Sequence, residues 1–328
     1  MKERLLTGDR VTGKLHLGHY VGSLKNRVEL QDSYDSFFML ADVHALTTHY
    51  KQPETLKAHV NQVTLDYLSV GIDPEQSTIF IQSLIPEIAE LTAYFSMFVT
   101  VNSLKHNPTI KAEASEKGYS DLYYGFLGYP ISQTADIAFC KATVVPVGED
   151  QLPHMEQSRK IMRRFNQLYA PVFNEPKAIV GDCARLIGLD GDSKMSKSKG
   201  NTIDLDSTKQ EVYDQIKKAK TDPARIRRSD PGHPDICPIY TYHNVFRKEE
   251  SGSIYEGCQK GMLGCVECKA MIAASINTLL EPMHERRDTY LQRSNYTKEI
   301  VQAGTERAQL IAKETMEEVR EALMINYF

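Results

Sequence analysis

An alternation of short apolar runs with helically spaced segments constrains this chain more than any other feature. Leu5-Leu6-Thr7 is a short strand candidate that breaks at Gly8. Helical spacing comes next, with Leu17, Tyr20, Val21, Leu24 and Val28 on one face. Residues 36–41 (SFFMLA) form the compact apolar run that a strand buried on both faces requires. Residues 54–70 return to helical spacing through Leu56, Val60, Val63 and Leu68. Residues 77–81 and 143–147 read as further strands. Strands that alternate with helices predict an α/β fold. Its core is a Rossmann-type, doubly wound parallel sheet with helices on both faces.

The pattern changes near residue 200. Residues 206–220 look helical, 223–238 look like loop, and 268–324 are mostly helix-forming. We expect a first domain over 1–203 and a second, mainly α-helical domain over 204–328, its last helix free to pack back on the first. With 328 residues, 41% of them apolar, the chain can bury two cores. No run approaches the roughly 18 apolar residues of a membrane span. The start, Met1-Lys2-Glu3-Arg4, leads into no long apolar segment of the signal-peptide kind. A cytoplasmic protein with no membrane partner is the expectation. The net charge of −4 means that a nucleic-acid partner would need a local basic surface.

Where the first strand passes into the first helix stands Thr7-Gly8-Asp9-Arg10-Val11-Thr12-Gly13-Lys14-Leu15-His16-Leu17-Gly18-His19-Tyr20-Val21-Gly22. Open parallel sheets bind ligands at the carboxyl ends of their strands, where helix N-termini offer free N–H groups to phosphates. Glycines let a ligand approach the backbone closely. His16 and His19, three apart, share a helical face and can donate to phosphate oxygens. Taken alone, this is equally a glycine-rich turn with two surface histidines. A second mark is Lys194-Met195-Ser196-Lys197-Ser198, followed by Lys199-Gly200. Such a cationic loop can close on a polyphosphate, although lysine-rich turns are usually just solvated.

His16-Leu17-Gly18-His19 resembles the HIGH motif of class I aminoacyl-tRNA synthetases, and Lys194–Ser198 is identical to their KMSKS loop. The resemblance is closest to the bacterial tryptophanyl enzymes. It runs through Tyr129-Pro130-Ile131-Ser132-Gln133-Thr134-Ala135-Asp136-Ile137, through Val145-Pro146-Val147-Gly148-Glu149-Asp150-Gln151, and through Phe80-Ile81-Gln82-Ser83. It implies activation of L-tryptophan by ATP, with magnesium accompanying the nucleotide, and transfer to tRNA(Trp) by a homodimer. It assigns His16, His19, Lys194 and Lys197 to catalysis. Arg10, Gly18, Gly148, Asp150, Met195 and Ser196 would bind ATP. His44, Tyr129, Gln133, Asp136, Val145, Val147 and Gln151 would bind tryptophan.

The residue chemistry agrees. Indole offers one polar atom, an N–H donor, so its pocket needs apolar walls and one acceptor. Asp136 would be that acceptor, Val145 and Val147 walls, with His44 against the ring. Apart from the resemblance, Asp136 reads as a helix cap or a satisfied carboxylate, and the valines as core. Gln133 departs from the apolar residue of many relatives, and Arg10-Val11 from their glutamine-proline. A tyrosyl enzyme would share the architecture but must read a phenol. A small-molecule adenylyltransferase would need no large α-helical second half. A non-catalytic binding protein would have no need of intact His16, His19, Lys194 and Lys197.

Six basic residues lie between Lys217 and Arg228, with Asp222 as the single acid, as either a solvated face or a contact for tRNA phosphates. Cys237, Cys258, Cys265 and Cys268 have a C-x20-C-x6-C-x2-C spacing. Spacing alone leaves zinc, iron and unrelated thiols open. The pattern resembles the iron–sulfur ligand set of a subset of bacterial tryptophanyl enzymes, which implies a [4Fe-4S] cluster with structural zinc as the alternative. Cys140 and Cys183 read as buried thiols.

Overall fold

The computed structural model describes residues 2–181, 186–293 and 295–327, and of Ser198 the backbone alone. Cys183 and the Ser198 side chain therefore lie outside the described residues. Five parallel strands, β1 Arg4–Arg10, β2 Asp35–Ala41, β3 Ser77–Ile81, β4 Val144–Val147 and β5 Lys177–Val180, form one sheet in the order β3-β2-β1-β4-β5. The order reverses beside β1, the switch point at which such sheets bind ligands. Two buried clusters cover the sheet. One gathers Phe37, Met39 and Phe80 with helices Pro86–Ser96, Tyr124–Ala138 and Leu152–Leu168. The other gathers Phe38, Leu40 and Ile79 with helix Leu56–Val70 and the second half of the chain. The doubly wound α/β expectation holds.

Two local readings are corrected. β1 does not break at Gly8 but runs on to Arg10. There a Cβ on residue 8 would sit 2.4 Å from the Met39 carbonyl oxygen, so glycine is what lets β1 and β2 lie side by side. The first helix is also not uniformly α-helical. Leu17–His19 and Lys25–Leu30 flank a π-turn at Tyr20–Leu24. The extra residue rotates the helical turns after it, so Arg27 is buried where a regular 3.6 spacing would favour Val28.

The second half is α-helical, with helices Lys209–Lys218, Pro238–Phe246, Ser251–Gln259, Cys265–Leu291 and Tyr296–Ala322. No helix among the described residues is long and apolar enough to cross a membrane. The last helix packs back on the first half. The Ile81 N–H donates to Thr305 Oγ1 at 3.3 Å, and Arg307 reaches Asp35 at 2.8 Å. Gly304 lies flat on β3, where an added Cβ would meet the Ile79 carbonyl oxygen at 2.2 Å.

That contact predicts a contrast between two helical glycines. Gly304→Ala should destabilise by about 1–3 kcal/mol, because backbone rather than a movable side chain stands in the way. Gly252→Ala, with nothing within 4 Å of its added methyl, should be neutral or stabilise by up to about 1 kcal/mol through helix propensity. Thermal unfolding of both variants is the check. Equal midpoints would mean that the last helix does not lie tightly on β3.

Candidate active site

At the carboxyl end of β1 two cavities meet. The first, of about 470 Å³, is lined by Thr12, His16, Gly18, His19, His49, Lys117, Asp150, Lys194, Met195, Ser196 and Lys197, among others. The second, of about 620 Å³, is lined by Arg10, His44, Glu113, Tyr129, Gln133, Asp136, Val145, Val147, Gly148 and Gln151, among others. His19, Gly22, Lys194 and Ser196 border both. Every expected site residue outside the cysteine set lies on one wall or the other. The two motifs and the middle segment, far apart in the chain, therefore surround one space.

The glycine-rich segment is held by backbone. Leu17 N–H donates to the Ile203 carbonyl at 2.9 Å, and Leu205 N–H donates to the Leu15 carbonyl at 3.0 Å. The junction expected between two domains is thus stitched to the glycine-rich turn. His16 caps the helix. Its Nδ1 accepts from the Gly18 N–H at 3.1 Å, and the Nδ1 of His19 accepts from the His16 N–H at 3.2 Å. Burial and the neighbouring His19 and Lys197 hold His16 down to about 3; burial, against the pull of Asp9, holds His19 down to about 4. Both rings are therefore neutral near pH 7, and with Nδ1 accepting, each carries its proton on Nε2. They are single, uncharged N–H donors on the wall of the first cavity. A side chain at Gly18 would strike the His16 ring at 2.9 Å, so the motif needs glycine there.

The cations come from the second motif. Lys197 Nζ donates to the Gly13 carbonyl at 2.8 Å, tying the lysine loop to the glycine turn. Burial lowers its pKa. Asn201 Oδ1 accepts from the Ser196 N–H at 2.8 Å and fixes the loop's backbone. Beneath lies a buried pair, Arg27 Nη1 to Asp9 Oδ2 at 2.6 Å, with the Tyr67 hydroxyl donating to the same oxygen at 2.8 Å. Burial alone would raise the Asp9 carboxyl; Arg27 overrides it and holds it at about 2.

In the second cavity Asp136 is 1% exposed. Its Oδ2 lies 2.7 Å from His44 Nε2, and its Oδ1 accepts from Gln82 Nε2 at 2.8 Å. Each oxygen keeps a second lone pair, so the carboxylate is fixed in place and still able to accept. The His44 N–H donates to Gln82 Oε1 at 3.1 Å, closing the set. The Tyr129 hydroxyl meets His154 Nε2 at 2.7 Å, and burial lowers His154 to about 4. Sequence reading assigned no role to Gln82 or His154, although the first lies in a segment that carried the resemblance and the second just beyond one. It missed Glu113 and Lys117 because no motif marks the helix Pro108–Glu116.

The cysteine set is different. Among the described residues no group of three or more His, Cys, Asp or Glu side chains stands at metal-ligating geometry. The expected metal site at Cys237, Cys258, Cys265 and Cys268 is thus not seen as a formed ligand set. The thiols do share one neighbourhood. Arg225 Nη1 approaches Cys258 Sγ at 3.6 Å and Cys265 Sγ at 3.8 Å. Burial first, then the other three cysteines, push Cys268 up to about 12. Of the basic run, Arg225 turns inward to these sulfurs, Lys220 pairs with Asp192 at 3.0 Å, and Arg227 is exposed. Cys140 is a buried thiol, pushed by burial up to about 12.

Comparison with known proteins places this geometry in a lineage. The family profile described as tRNA synthetases class I (W and Y) matches residues 2–281. The tryptophan–tRNA ligase of Thermotoga maritima is 46% identical, over 99% of this chain and 100% of that one. The tryptophan–tRNA ligase of Lactococcus lactis is 45% identical, over 100% and 99%. Among solved structures, the tryptophanyl-tRNA synthetase of Campylobacter jejuni, complexed with ADP and tryptophan, superposes with a TM-score of 0.85 at 30% identity, covering 98% of this chain and 99% of that one. The chain belongs to the class I tRNA synthetases of the tryptophan and tyrosine group.

Proposed function

We propose that this chain is a tryptophan–tRNA ligase, which activates L-tryptophan with ATP and transfers it to tRNA(Trp). The observation that carries the reading is the buried Asp136 in a cavity that also carries Met39, Ala41, Val145 and Val147 and opens onto a cavity bordered by two neutral histidines and the lysine loop. A buried acceptor held in place beside apolar side chains suits the single N–H of indole. Full-length relatives named tryptophan–tRNA ligase support it.

In this reading the substrate carboxylate attacks the α-phosphate, the bond to pyrophosphate breaks, and the aminoacyl-adenylate forms. The ribose hydroxyl of the terminal tRNA adenosine then displaces AMP. Positioning and charge stabilisation do the work. His16 and His19 donate to phosphate oxygens, while Lys194 and Lys197 balance the charge of departing pyrophosphate. Arg10, Gly18, Gly148, Asp150, Met195 and Ser196 bind the nucleotide. His44, Gln133, Val145 and Val147 surround the indole, and Tyr129 and Gln151 face the amino group. Magnesium enters with the phosphates, since no protein cage for it stands among the described residues.

The wider reading has three parts. The exposed part of the basic run, Arg227 among it, serves tRNA phosphates. The chain acts as a cytoplasmic homodimer, and exposed apolar side chains such as Leu84, Met97 and Val101, 48%, 75% and 56% exposed, suit contact with a second copy. Cys237, Cys258, Cys265 and Cys268 hold a structural [4Fe-4S] cluster, with zinc as the alternative. Four thiols in one neighbourhood, two of them within reach of a single guanidinium, supply a fitting donor set.

Tryptophan should support ATP–pyrophosphate exchange and tyrosine about a hundredfold less well, since a site built around one buried hydrogen bond discriminates strongly. Equal rates would sink the tryptophan assignment, and failure to charge tRNA would favour the adenylyltransferase. Asp136→Ala should raise the KM for tryptophan by about 1–3 kcal/mol and leave that for ATP nearly unchanged. Lys197→Ala should instead lower kcat. The reverse pattern would overturn both roles. Anaerobically purified protein should be brown, carry about four iron atoms per chain, as a [4Fe-4S] centre requires, and scatter light as twice 37.1 kDa. A colourless, zinc-bearing or monomeric preparation would refute the corresponding part.

A further inference from the structure

One ion pair in the second cavity is loosely made. Arg10, the last residue of β1, sets its Nη2 3.7 Å from Glu113 Oε1. Both side chains remain partly exposed, at 34% and 25%. The guanidinium also lies over the Tyr129 ring, 5.3 Å from its centre. Glu113 Oε2 is shut off from solvent and has no hydrogen-bond partner. An acceptor buried without a donor costs about 1–3 kcal/mol, so this oxygen is short of one. The carboxylate lies close enough to Tyr129 to raise that phenol's pKa beyond what burial does. One negative and one positive group thus stand together on the wall of the cavity that holds Asp136.

An amino acid is the matching object, with one ammonium and one carboxylate on the same carbon. We propose that Arg10 and Glu113 form a clasp for the substrate's zwitterionic end: the pair neutralises itself in the empty pocket and parts when the amino acid enters. Glu113 then accepts from the α-ammonium through the Oε1 that Arg10 gives up, and Arg10 donates to the α-carboxylate. This rests on reading the cavity as an amino-acid pocket. Pairing in the empty state keeps either charge from standing uncompensated. The chemistry also gives the halves different duties. When the carboxylate oxygen bonds to the α-phosphate, its negative charge is lost and Arg10 passes to the nucleotide phosphate, the partner proposed for it above. The ammonium keeps its charge through both steps, so Glu113 holds the adenylate by the same contact. Glu113 is then the residue that favours indole acids carrying an amine over those that lack one.

Calorimetric binding without ATP tests this with three probes: L-tryptophan, indole-3-propionate, which lacks the ammonium, and tryptamine, which lacks the carboxylate. Glu113→Gln should weaken L-tryptophan by about tenfold or more, as loss of a charge-assisted bond does, and leave indole-3-propionate within about twofold. Arg10→Gln should weaken L-tryptophan and indole-3-propionate and spare tryptamine. Retained indole-3-propionate binding shows that the Glu113 variant is folded. A Glu113→Gln protein that binds L-tryptophan as well as the parent does, or that loses both indole acids alike, overturns the clasp. An unaltered protein that binds no L-tryptophan overturns the amino-acid pocket itself, and the clasp with it.

Discussion

The site depends on one buried carboxylate that never touches it. Asp66, 1% exposed on helix Leu56–Val70, accepts the Leu15 N–H through Oδ2 at 2.8 Å. Its Oδ1 takes Arg287 Nη1 at 2.7 Å and Gln62 Nε2 at 3.0 Å. Three elements therefore meet on one side chain: a helix of the sheet layer, the glycine-rich turn, and the long helix Cys265–Leu291. Arg287 also approaches Asp206, which pairs with Lys14 at 2.7 Å. Burial raises the Asp66 carboxyl, and the bonds from Leu15 and Arg287 oppose that rise. Breaking such a set leaves an uncompensated charge inside, which costs several kcal/mol. The turn that presents His16 is thus anchored to both halves of the chain at once.

That anchoring explains why two motifs remote in sequence act as one surface. The glycine turn is braced by Asp66 from behind and by residues 203–205 from the side. The lysine loop then closes on it through Lys197 and Gly13. The histidines need no ionisation to serve, because backbone N–H groups already direct their protons to Nε2. A neutral donor loses nothing when a cationic lysine sits beside it, whereas a protonated imidazole there would be repelled.

Much of this was legible in the sequence, for physical reasons. Strands buried on both faces show as unbroken apolar runs, so β2 and β3 stand out. β5, short and half exposed at the sheet edge, carries no such run and was not foreseen. The π-turn leaves no periodic trace, so the burial of Arg27 could not be read. The motif residues were legible because glycines, histidines and lysines stand unusually close together in two short segments. The pairing of Arg10 with Glu113 was not, because the two meet only through the fold and no motif marks Glu113. Gln82 and His154 orient other side chains, and nothing in one sequence marks that duty.

The flat contact at Gly304 bears on how the molecule is made. β3 is an outer strand of the sheet, and its exposed backbone is covered by a helix whose Thr305 lies 224 residues further along the chain than Ile81. During synthesis from the N-terminus, most of the protein can emerge and its parallel strands assemble while that outer rim still lacks its cover. Unpaired strand edges are templates for association with neighbouring chains. The growing polypeptide is therefore most exposed to its own copies late in translation, and the final helix ends that interval.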